Sequence, residues 1–122
     1  MYMIMFVLDN PDQLDKVLEA WMKMGVHGIT ILDSTGVQRL REQGRLQTFL
    51  GFRRLSQTSK HNHYTLFSIA DEETIQRVVP ATEAIVGNLD TPDTGILVTL
   101  PVGQVWGLNK TSPSPTDGHE TA

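Results

Sequence analysis

The chain has no cysteine among its 122 residues. That absence excludes disulfides, thiolate metal sites and cysteine nucleophiles, and it fits a cytoplasmic protein. There is no run of eighteen apolar residues, so no transmembrane span and no membrane insertion is expected. The opening stretch from Met1 to Leu8 is too short for a secretory signal and has no basic flank. No serine–histidine–acid or paired-carboxylate pattern stands out, so no catalytic residue is assigned and an enzyme is not expected. Asp71, Glu72 and Glu73 read instead as acids at a helix start, where the macrodipole favours them. His61 and His63 share a face if extended, but no sulfur or acidic residue is close in sequence, so they read as exposed histidines ahead of a strand and no metal is assigned.

What is present is unevenly charged. The net charge is −4. From Val37 to His63 stand Arg39, Arg41, Arg45, Arg53, Arg54 and Lys60 against Glu42 alone, six bases and one acid, a local +5. The remainder has four bases and thirteen acids, −9. Such an asymmetry points to a local anionic partner, with no nucleic acid expected.

Periodicity then sets the elements. Tyr2 to Leu8 is an apolar run that reads as a buried strand. Asn10 and Pro11 form a helix start, a capping side chain followed by a preset φ. Leu14, Val17, Leu18, Trp21 and Met22 make one apolar stripe, and Gly25 closes the helix in the left-handed region. Gly28 to Ser34, Tyr64 to Ala70 and Gly95 to Leu100 read as further strands. Between the last two, Asp71 to Asn88 reads as a second helix striped by Ile75, Val78, Val79, Thr82, Ile85 and Val86, bent at Pro80. The sequence predicts one α+β domain over residues 1–109, with a long basic loop at about 37–63, and a disordered polar tail over 110–122.

The order β-α-β, long loop, β-α-β is the ferredoxin-like βαββαβ arrangement: a four-stranded antiparallel sheet with two helices on one face. Strand one is apolar on both parities, Tyr2, Ile4, Phe6 and Leu8 against Met3, Met5 and Val7, and strand four is similar. Helices cover one face, so the other is expected to be buried against further copies.

The run LEAWMKMGVHGITILDSTG, from Leu18 to Gly36, is similar to the first helix, glycine turn and second strand of the nitrogen-regulatory PII family. The resemblance covers roughly residues 1 to 105 in element order and loop length. It implies a homotrimeric signal-transduction protein, with an adenine nucleotide (ATP, ADP or AMP) as effector in the clefts between subunits and no obligatory cofactor. A long loop after strand two, the T-loop, would engage a regulated target protein, a transporter or an enzyme. By this resemblance Thr30, Gly36 and Arg39 correspond to nucleotide-contacting and loop-opening positions, Gly44, Phe49 and Gly51 keep the loop's spacing, and Asp93 stands at the turn before strand four. Departures mark a divergent member. Gln38, Leu40 and Gly95 replace a glycine, a glutamine and a phosphate-binding lysine, VGQVWGLNK follows Pro101 where the family has arginines, and Arg54 falls near the modified tyrosine.

The residues support a compatible site. Ser34, Thr35 and Gly36 with Arg39 could turn backbone N–H groups and a guanidinium toward an anion, and the same spacing also suits an ordinary loop start. Asp93, Thr94 and Gly95 belong to the turn proposed as the other wall, which also reads as a plain Pro/Gly turn. Within the loop, Arg41, Arg45, Arg53 and Arg54 interleave with Phe49 and Phe52, a pattern for partner contact or for packing on its own sheet. Two further function classes fit the topology. An RRM-like RNA-binding module is one, although YTLFSIA lacks the glycine-aromatic pattern. A small ferredoxin-like enzyme, such as an acylphosphatase or an isomerase, is the other, although LDNPDQ offers no arginine.

Overall fold

The computed structural model describes residues 1–37, 41, 44 and 63–108. The elements are β1 (Tyr2–Leu8), a 3-10 turn (Pro11–Gln13), α1 (Leu14–Lys23), β2 (Thr30–Ser34), β3 (His63–Ala70), α2 (Glu72–Val86) and β4 (Gly95–Pro101). Asn10 caps the first turn by accepting from the Asp12 N–H. Gly25 leaves α1 at φ +106, a conformation in which a side chain would be strained.

The strands form one antiparallel sheet in the order β2-β3-β1-β4. Read from the other edge this is 4-1-3-2, with β3 between β1 and β2, and β1 between β3 and β4. The arrangement is α+β and compatible with a ferredoxin-like fold. In β1 the residues Ile4, Phe6 and Leu8 are fully buried, and they join Leu66 of β3, Val17 and Trp21 of α1 and Val78 of α2 in one core. Both helices therefore lie on the same face. The Trp21 indole donates to the Thr82 hydroxyl at 2.9 Å, and that hydroxyl donates back to the Val78 carbonyl at 2.8 Å. Thr82 sits in the stripe of α2 because it satisfies the one polar atom of the largest core side chain.

Among the described residues no helix covers the opposite face. Met5 faces Phe67 on one side and Val98 on the other, and Met3 lies between Ile69 and Leu100 in the same way. From Met3 to Val7 of β1, Thr65 to Ile69 of β3 and Ile96 to Leu100 of β4, the residues of this face are uncharged. Two helices cannot cover four strands, so even the helix side of edge strand β2 stays exposed at Ile31.

Three expectations need adjustment. β2 begins at Thr30 rather than Gly28, because the Ser68 hydroxyl takes the Gly28 carbonyl in place of a ladder bond. Met22 lies at the margin of its stripe and is exposed. Pro101 is the last residue of β4, opposite Tyr2, where an edge strand tolerates a missing N–H. α2 continues as one helix through Pro80. The expected tail over 110–122 lies outside the described residues.

Candidate functional site

The ends of β1, β2 and β3 meet where the basic segment leaves and returns. Ser34, the last residue of β2, faces His63, the first of β3. The Ser34 hydroxyl donates to the His63 carbonyl at 3.3 Å and lies 2.8 Å from the Thr65 hydroxyl. Leu8 faces Tyr64 in the β1–β3 ladder, so one further step brings Asp9 beside His63. The His63 Nε2 atom is 3.4 Å from Asp9 Oδ1. On its other side the ring packs on Gly36, where a Cβ would stand 3.0 Å from the His63 Cε1 atom. A side chain at position 36 would press on the ring, which gives this glycine a steric reason.

This changes the reading of His63. Its side chain is 15% exposed and has an acidic neighbour, supplied from the far end of β1 rather than from nearby sequence. The carboxylate can orient the imidazole and would pair with it as an ion when the ring is protonated. The Ser34 hydroxyl is taken up by the His63 carbonyl and by Thr65, so the geometry is not the serine–histidine–acid relay of acyl transfer. Asp9 and Thr65 were missed from sequence, and the signal that finds them is strand register.

The turn before β4 is fixed by its own contacts. Asp93 is exposed, with φ +65. Thr94 is buried, and its hydroxyl donates to the Thr91 carbonyl at 3.0 Å and toward the Leu89 carbonyl at 3.5 Å. Gly95 has φ +126, and a Cβ there would meet the Val7 carbonyl oxygen. Backbone approach to β1 accounts for this glycine.

The two candidate walls occupy one end of the sheet. Ser34 is level with His63, and Leu8 with both Tyr64 and Gly95. They stand at opposite edges, however, three strand spacings or about 14 Å apart. Thr30 lies at the other end of β2, about 13 Å from Ser34 along the strand, in a shallow hollow with Met3, Phe67, Ile69 and Leu108. Arg41 is exposed. Arg39, Arg45, Phe49, Phe52, Arg53, Arg54 and His61 lie outside the described residues. Among the described residues no group of three or more histidines and acids could hold a metal ion, and no helix is long and apolar enough to cross a membrane.

Among the described residues, the one carboxyl with a clear shift lies away from this region. Asp71 caps α2 and is held below its ordinary range, first by the hydrogen bond from the Thr74 N–H and then by the Thr74 hydroxyl. No protein-family model and no curated protein matches the chain.

Proposed function

We propose that the protein is an oligomeric, PII-like signal-transduction protein. It binds a small anionic effector, an adenine nucleotide, in clefts between subunits, and it regulates a target protein through the basic segment after β2. The observation that carries this reading is the separation of the two candidate walls. Ser34, Thr35 and Gly36 stand at the β2 edge and Asp93 at the β4 edge, too far apart to close on one small anion within a chain. They wall a single cleft when the β2 edge of one copy adjoins the β4 edge of the next. The uncharged open face supports the same association, since a patch of that extent is seldom left in water. Ser34 and His63 support the loop's role, because the basic segment starts and ends beside the cleft and a ligand there can bias it.

Thermal unfolding with ATP, ADP, AMP and inorganic phosphate tests the effector, alongside light scattering at micromolar protein. A ligand that binds only the native oligomer raises the midpoint, by about 2.7 kcal/mol of stability at a hundred times its Kd. The expected outcome is a trimer stabilised by at least one adenine nucleotide and less by phosphate, with Arg39→Ala reducing the shift. A monomer, or a trimer indifferent to every nucleotide, overturns the effector reading.

A further inference from the structure

We infer that the arm after β4, residues 102–108, grips a second copy of this chain, with Trp106 seated on the β4 strip of that copy's open sheet face. The inference rests on the oligomeric reading above and adds the residue that does the gripping. Trp106 is 81% exposed. A tryptophan buries some 150–250 Å² when covered, more than almost any other side chain, and is usually well buried. Here it stands out from an arm whose start is hydrogen-bonded to the N-terminal residue. The Val102 N–H donates to the Met1 carbonyl at 3.0 Å, and Leu108 lies in the hollow with Met3, Phe67 and Ile69. The indole thus stands outward four residues beyond an anchored point, which limits the ordering that contact requires.

The same chain carries a surface that fits it. Ile96 is 63% and Leu100 48% exposed, and with Val98 they form an uncharged strip along an edge strand. Edge strands that stay in water are normally guarded by lysine, proline or a bulge. β4 has no charge anywhere along GILVTLP and a proline only at its last position. The open face as a whole measures four strands of five to eight residues, a footprint of roughly 400 Å², at the size where exposed apolar patches mark contacts. The occupant is a second copy because anchor and strip share one chain, and the indole, left in water, is not seated on its own sheet. An unrelated partner would cover one of the two patches and leave the other in water. Each copy thus offers both an anchor and a receiving strip, and a head-to-tail use of the two around a three-fold axis gives the closed ring of a trimer.

The test uses the full chain. Wild type, Trp106→Ala, Trp106→Phe and Ile96→Lys are followed by sedimentation and tryptophan emission over a dilution series. Trp21 is fully buried and bonded to Thr82, so it supplies a steady background. Wild-type emission should shift to the red as the oligomer dissociates, a change absent from Trp106→Ala. That variant should associate at least about 30-fold more weakly, as a central tryptophan anchor does, with Trp106→Phe in between and Ile96→Lys equally impaired. Circular dichroism of the dilute chains should be unchanged, because both residues lie outside the core. A Trp106→Ala oligomer with an unaltered dissociation constant, or an oligomer whose Trp106 emits as if in water, overturns the inference and leaves the oligomeric reading standing. A wild-type chain that is monomeric throughout overturns both.

Discussion

β1 offers its two sides of the sheet nearly equal apolar material, Ile4, Phe6 and Leu8 on one and Met3, Met5 and Val7 on the other. The first set is sealed from water under both helices, and the second is half-buried, with no helix over it among the described residues. Shape separates them more than hydrophobicity does. The covered side holds Phe6 against Trp21, ring centroids 6.3 Å apart, a tilted pair with one geometry. The open side carries methionines, flexible side chains that adapt to whatever packs on them. A strand apolar on both sides carries material for two cores, and the described residues complete one.

That contrast can be broken at adjacent residues. Phe6→Ala should cost about 3–5 kcal/mol of folding stability by urea titration, because a sealed ring leaves a cavity. Met5→Glu, one residue away, should leave the dilute chain folded by circular dichroism and dissociate or aggregate the oligomer in gel filtration. Equal losses of folding stability in dilute chains would erase the distinction between the faces. A smaller effect tests how the helices hold the covered side. Thr82→Val strands the Trp21 N–H in the core and should cost about 1–3 kcal/mol, without altering association. The smallest effect belongs to the helix start. The Asp71 carboxyl is depressed in the folded state, so its contribution is present above the ordinary carboxyl range, near pH 3.9, and fades as pH falls through the folded value. Asp71→Ala should lower the melting temperature slightly at neutral pH and flatten the acid limb of the stability profile, leaving both faces as they are.

Much of the covered side was legible in sequence. The stripes Leu14–Val17–Trp21 and Val78–Thr82–Ile85 keep helical phase, and both point into the core with Ile4, Phe6 and Leu8. β2 was read two residues too long, because propensity at Gly28 and Ile29 says nothing of the Ser68 hydroxyl that occupies the Gly28 carbonyl. The site was half legible. Ser34, Thr35 and Gly36 declare themselves as a small polar turn, whereas Asp9 and His63 are neighbours only through the pairing of β1 with β3. Gly95 was noticed as the residue in place of a lysine, but its reason, close passage of the Val7 carbonyl, is a backbone fact that no side-chain pattern encodes.

The pairing of Ser34 with His63 has a consequence for how this chain can change. Those residues are 29 apart in sequence and adjacent in the sheet. The entropy of closing a loop grows only with the logarithm of its length, so doubling or halving the segment alters stability by about 0.6 kcal/mol. The feet themselves are joined directly, by the pairing of Ser34 with His63 and of Ser34 with Thr65. The basic segment is in that sense a socket for replaceable sequence. On the proposed reading, its arginines, its apolar residues and even its length are open to exchange for those suited to another target at little cost in loop entropy.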